Sequence, residues 1–233
     1  PALAGDMKAE TVAFFQEVAW KQKRPLADLF QAQFTFATPR LAKHYGLKPK
    51  GKGLQKYDLS KVAVRGGVLT QGSMLTVGGD EGSMVTRGLF IFHDILRGMV
   101  KDPPPTVDTT PVPAKPGKSQ RQISEQRLKN VACRGCHAKF EPLAFALEKF
   151  DGVGGFRQQD QHGNRLREDG ILRIPGTAKA ASFKTSSELM KLLAKSDRVS
   201  ESITWKATQF AVGRPLGAGD VRSTPTDPHP GCR

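Results

Sequence analysis

Two cysteines and a histidine stand together in the run Cys133-Arg134-Gly135-Cys136-His137. Thiols three residues apart, followed at once by an imidazole, make the C-x-x-C-H pattern of covalent haem attachment. The spacing has a chemical reason. Two thiols must reach the two vinyl groups of one porphyrin, and the next residue must place a nitrogen under the iron as proximal ligand. A helix meets both demands, because positions three and four apart share a face. Two other chemistries use a C-x-x-C pair. Half of a zinc site needs a second Cys or His pair at ligand spacing, and none is present. A thioredoxin-like redox pair needs a strand leading into it within a βαβ pattern, which is also missing. The expected cofactor is one covalent haem c held by Cys133 and Cys136, with His137 on the proximal side of the iron. The third cysteine, Cys232, reads as part of a disordered Pro-rich tail. A bond to another chain is its alternative in an oxidising compartment.

The iron's far side decides between electron transfer and small-molecule chemistry. The donors to weigh are His44, Met84, Met74 and Met190, against an open or water-occupied position. Met84 and Met74 sit in Gly-rich stretches that approach a flat ring easily, whereas the leucines around Met190 also suit core packing. His44 reads either as a ligand or as a buried imidazole bonded to a backbone carbonyl. His93 and His162 read as solvent-facing, and His229 as part of a mobile tail. Arg87, Arg134 and Arg157 are candidates to pair with haem propionates, since a guanidinium contacts a carboxylate at two points. Phe140 and Leu143 are candidates to wall the porphyrin, in an apolar run that continues through Phe145, Leu147 and Phe150.

The elements that must carry these residues are mainly helical. Residues 5–22 read as an amphipathic helix with Met7, Val12, Phe15, Val18 and Ala19 on its inner face. Pro25 opens a second helix with Leu26, Leu29 and Phe30 inward, and Thr38-Pro39 caps a third that stops at Gly46. Residues 47–82 are Gly-rich, with strand-like pieces at Val62–Val64 and Val68–Thr70. A helix follows over 85–98. Residues 102–118 carry six prolines and read as a semi-rigid linker or surface strap. Ser119 to Val131 is helix-compatible and leads into the haem helix, and Pro142 to Phe150 forms the next one. Residues 156–175 read as a hairpin turning at His162-Gly163-Asn164. Two helices close the chain, Ser187–Lys195 capped by Ser186, and Ser200–Val212 before Gly213. The domain division expected is an N-terminal helical region over 1–101, the strap over 102–118, a haem-binding helical region over 119–217, and a tail over 218–233. No repeat is present.

The 233 residues carry 36 Lys plus Arg against 22 Asp plus Glu, a formal net charge of +14. The basic residues are scattered and no nucleic-acid motif accompanies them, so the field points instead to an acidic redox partner, anionic cofactor groups or an acidic subunit. No run of about 18 apolar residues spans a bilayer. No signal peptide opens the chain, which begins at Pro1, so removal of a leader or of an upstream portion is expected.

Several stretches resemble a family of large secreted haem proteins of planctomycetes and related bacteria. They are Phe34-Thr35-Phe36 with Arg40 to Gly46, Gly66 to Ser73, Cys133 to Gly154, and Phe210 to Leu216. That family is built from consecutive DUF1592, DUF1588 and DUF1585 domains, and the resemblance runs from about residue 7 to 217. It implies export to the periplasm or cell surface, covalent haem, and a longer precursor of which this is the C-terminal portion. It also adds weight to Arg157, within the family-like run Gly154 to Arg157. Two departures stand out. Glu141-Pro142-Leu143-Ala144 replaces the family's Asp-Pro-Leu-Gly, and Gly82-Ser83-Met84-Val85 replaces its Thr-Ser-Pro-Val. The second alters which residue meets the iron's far side.

Motif and resemblance together imply a c-type cytochrome-like helical haem domain and a mono-haem electron carrier, part of a periplasmic or extracellular redox complex. Two alternatives remain open. One is a haem enzyme of peroxidase or oxygenase type with a vacant distal site. The other is a structural subunit that keeps haem for folding.

Overall fold

The computed structural model describes residues 2–217 and 219–220. The first helix, α1 (Ala2–Gln16), runs on through a π-helical turn at Glu17–Lys21. It buries Met7, Glu10, Phe14 and Val18, a stripe at helical spacing. This corrects the expected inner face: Val12 is 48% and Phe15 39% exposed. The buried stripe contains the charged residue Glu10, so apolar periodicity alone selected the wrong face.

Next come α2 (Asp28–Gln31), β1 (Phe34–Ala37), α3 (Pro39–His44) and β2 (Gln55–Asp58). Strands β1 and β2 pair antiparallel, with Thr35 opposite Tyr57. Thr38 caps α3 by accepting the Leu41 N–H at 3.2 Å, and the chain leaves at Gly46 with φ +72°, as its sequence signals implied. The expected strands at Val62–Val64 and Val68–Thr70 do not form. Residues Val68–Thr70 make a 3₁₀ turn, because this Gly-rich stretch wraps around a buried arginine instead of pairing.

Short α4 (Gly72–Leu75) precedes α5 (Met84–Leu89), which continues as a π-helical segment over Phe90–Ile95. The proline-rich stretch has no regular structure, yet its second half is tied down. Gln120 Nε2 donates to the Val112 carbonyl (3.1 Å) and Asn164 Nδ2 to the Lys115 carbonyl (2.9 Å). Beyond it lie α6 (Gln120–Lys129), α7 (Val131–His137) and α8 (Glu141–Ala144), the last extended by a 3₁₀ turn over Phe145–Leu147.

The turn at His162-Gly163-Asn164 forms, with Gly163 at φ +79° and Asp160 accepting the His162 and Asn164 N–H groups. Only one bridge, Gln159 with Arg165, pairs across it. The true ladder joins β3 (Gly170–Arg173) to β4 (Ala180–Phe183). Helices α9 (Ser186–Ala194) and α10 (Asp197–Val212) close the fold. Thr185 caps α9 in place of the expected Ser186, which is buried and donates to Glu168.

The architecture is therefore mainly helical, with two small antiparallel sheets. The main core draws Phe14, Phe30, Leu69, Ile91 and Leu96 from one side of the proline strap and Phe140, Leu147, Phe183, Leu189 and Leu193 from the other. Among the described residues, no helix is long and apolar enough to cross a membrane.

Buried polar groups join the early segments. Glu10 has no exposed surface and accepts from Thr35 Oγ1 (2.5 Å) and the Tyr45 hydroxyl (2.6 Å). Tyr45 in turn accepts the Gly72 N–H at 2.6 Å, and the Arg65 guanidinium stacks on its ring at 3.8 Å. Burial pushes the Glu10 carboxyl up to about 7, against the lowering effect of its two hydroxyl donors and Arg65. A carboxyl raised in this way holds its proton in the folded state over a range where the unfolded chain has lost it. Its stabilising effect is complete below the ordinary carboxyl value and is lost as pH rises through about 7. We expect urea midpoints of the wild type to fall between pH 5 and pH 8. Glu10→Gln should flatten that slope by an amount on the order of 3 kcal/mol; equal slopes in both proteins would remove Glu10 as the cause.

Candidate functional site

Helix α6 starts with a capping box at Ser119: its side chain accepts the Gln122 N–H (3.3 Å) while Gln122 accepts the Ser119 N–H (2.6 Å). The expected continuous helix breaks at Asn130, whose extended backbone ends α6 and whose side chain caps α7 through the Ala132 N–H (2.9 Å). The inner face of α6 buries Arg121 and Ser124 beside Ile123. Arg121 reaches Asp169 (3.0 Å) and lies over the Phe145 ring, Ser119 donates to Glu148 (3.0 Å), and Ser124 donates to Glu141.

Helix α7 presents the Cys-x-x-Cys-His residues, and none of its seven residues is buried. Val131 is 78% exposed, Cys136 is exposed and Cys133 half-buried, both as free thiols. An isolated helix of two turns is marginal in water. This one is held at its ends, by the Asn130 cap and by His137. The His137 Nδ1 lies 2.9 Å from Glu141 Oε1, and no described residue is bonded to its Nε2. Glu141 has no exposed surface. Besides the imidazole and Ser124, it faces Arg127, whose Nε stands 3.0 Å from the same Oε1 in an ion pair without hydrogen-bond geometry.

The surroundings are closely packed. Phe140 and Leu143 belong to the main core, and the Phe140 ring sits 5.1 Å from the imidazole. A Cβ on Gly88 would lie 2.5 Å from the Phe140 carbonyl oxygen, so α5 packs directly on the backbone behind His137.

This arrangement fits haem c. Cys133, Cys136 and His137 share one face of a helix none of whose residues is buried. A carboxylate on Nδ1 selects the tautomer that leaves Nε2 as a lone pair, the form that ligates a metal. Among the described residues, no group of three or more His, Cys, Asp or Glu is placed to hold a metal ion by itself.

The other expected site residues are spread through the fold. Arg87 is 1% exposed, and all its N–H donors go to the carbonyls of Leu75, Leu147, Phe150 and Asp151, leaving none for a propionate. Burial lowers its pKa to about 10, which keeps it charged at neutral pH. Arg157 is half-buried and lines a small polar cleft of ≈ 30 Å³ with Met84, Glu148 and His162. Its Nε is buried and has no bonded partner among the described residues. Arg134 is exposed on α7.

His44 Nε2 bonds to the Val153 carbonyl (2.7 Å), the carbonyl-bonded alternative weighed for it. Met190 is buried in the main core, and Met84 is buried with Ala144, Phe145 and Leu128. Met74 is half-buried in α4, and His93 is exposed. Cys232 and His229 lie outside the described residues. Sequence reasoning missed Glu141 together with Ser124 and Arg127. The available signal was the four-residue spacing from His137 to Glu141, at which side chains meet on one face.

Three stretches match families of known sequence and unknown function: residues 1–47 match DUF1592, residues 65–160 match DUF1588, and residues 180–224 match DUF1585. This is the planctomycete-type domain set that the sequence motifs resembled. The His137 helix falls within the DUF1588 stretch. No curated protein and no solved structure matches the chain.

Replacing Arg87 by Met should take the guanidinium donors from four carbonyls, of which Leu147 and Asp151 keep the Phe150 and Gly154 N–H groups, and cost on the order of 3 kcal/mol in urea unfolding. A loss below about 1 kcal/mol would show that this guanidinium does not hold the loops together.

Proposed function

We propose that this chain, which carries the DUF1592, DUF1588 and DUF1585 stretches in sequence, is a mono-haem c-type cytochrome acting as an exported one-electron transfer subunit or domain of a redox complex. The observation that carries the reading is helix α7, none of whose residues is buried and which offers two free thiols and an imidazole with an unbonded Nε2 on a single face. Haem c, when bound, supplies Fe(II)/Fe(III) exchange of one electron.

The chain's own residues do the rest. Cys133 and Cys136 provide the sulfurs for two thioethers, and His137 offers Nε2 to the iron. Glu141 holds the Nδ1 proton and keeps the ring from turning. Phe140 and Leu143, buried in the main core, fix the backbone that follows His137. Lys129, Arg134 and Lys139 are exposed in and beside α7, and no acidic residue occurs between Glu125 and Glu141. That local positive field supports docking to an acidic redox partner, with a rate that falls as salt rises.

A second reading, a haem enzyme with an open far side, draws on two observations. The proximal imidazole faces a carboxylate, and three of the four far-side donors considered are engaged elsewhere, His44 with a carbonyl and Met84 and Met190 in packing, which leaves the half-buried Met74.

The test is the pyridine haemochrome and absorption spectrum of protein produced in a cell that attaches haem c. A thioether-type haemochrome with a low-spin six-coordinate spectrum is expected, and the double substitution Cys133→Ala, Cys136→Ala should abolish pigment on denaturing gels. Pigment that survives the double substitution would sink the attachment. A high-spin spectrum with rapid cyanide or CO binding would instead select the enzyme reading.

A further inference from the structure

We propose that Glu141 is the positioning residue for the iron ligand, acting through His137 to make the imidazole electron-rich and to hold the reduction potential low. This rests on the haem reading above.

The geometry separates the two carboxylate oxygens. Oε1 stands 2.9 Å from His137 Nδ1, and Oε2 accepts from Ser124. A buried carboxylate accepts a proton-sharing bond more strongly than a neutral carbonyl does. Charge pushed into the ring through Nδ1 raises the basicity of Nε2. A more basic ligand favours Fe(III) over Fe(II) and so lowers the potential.

Two neighbours oppose this donation. Ser124, with no exposed surface, draws charge toward Oε2, and the Arg127 guanidinium stands 3.0 Å from Oε1. The imidazole's donor strength is therefore set by three side chains on α6 and α8, elements outside the C-x-x-C-H motif. A purely structural Glu141, serving only to join α6 to α8, would leave the potential unmoved by a neutral change at Ser124.

The experiment is spectroelectrochemical titration of the haem-loaded full chain, with each sample first checked by pyridine haemochrome. Glu141→Gln should shift the Fe(III)/Fe(II) equilibrium toward the reduced form by tenfold or more, about 59 mV for one electron. Removing a negative charge alone would also raise the potential, so Ser124→Ala is the deciding arm. It changes no charge, frees the carboxylate to favour His137, and should move the potential downward.

A downward shift in Ser124→Ala with an upward shift in Glu141→Gln supports the proposal. No shift in Ser124→Ala, or an upward one, overturns it while leaving the haem reading intact. Should Glu141→Gln fail to mature, Ser124→Ala alone decides by the same criterion. A wild type without thioether-linked haem overturns the functional reading and this inference together.

Discussion

A carboxylate with no exposed surface is tolerated only where every oxygen finds a donor or a cation, because stripping its hydration is worth several kcal/mol. Glu141 meets that demand with Ser124 and Arg127 from α6 and His137 from α7. The orientation of α7 follows from it. That helix buries none of its own residues, so apolar packing does not hold it against the core. It is held between an Asn130 cap at one end and a carboxylate-bound imidazole at the other. On the face that His137 anchors, the Cys136 thiol is exposed and the Cys133 thiol half-buried.

The same device recurs away from the site. Arg87 joins α5 to the loops at Leu75 and at Leu147–Asp151 by donating to their carbonyls. Arg65 does the same for Thr70 and Gly154 while stacking on Tyr45. These segments are short helical turns and loops, and the guanidinium adds side-chain donors to carbonyls at their ends, of which Leu147 and Asp151 also accept a backbone N–H. A guanidinium presents several in a fixed fork and stays charged even when burial lowers its pKa. Gly-rich segments with few strands are thereby ordered by arginine–carbonyl stitching. The stitched loops run behind α5 and α8, against which the site is built.

The three matched stretches are not three separate packing units. Glu10 and Tyr45 of the first meet Arg65 and Gly72 of the second, and Leu189 and Leu193 of the third share the main core with Phe140 and Leu143 of the second. The proline-rich strap between α5 and α6 spans the surface of that shared core without dividing it. Its ties to Gln120 and Asn164 fix where α6 begins, and α6 carries two of the three partners of Glu141.

Features governed by neighbours in the chain were legible in the sequence. The Thr38-Pro39 cap, the stops at Gly46 and Gly213, the turn at Gly163 and the common face of Cys133, Cys136 and His137 all depend on contacts within about four residues. Features governed by distant partners were not. The inner face of α1 was misread because its central position is a glutamate, buried only because Thr35 and Tyr45 come to meet it. Arg87 read as a candidate partner for a propionate, and only the fold shows four carbonyls closing around it. The sequence by itself determined which residues carry thiol and imidazole chemistry. Tertiary structure decided which groups satisfy the buried Glu141 carboxylate beside His137, because Ser124 and Arg127 of α6 reach it only through packing.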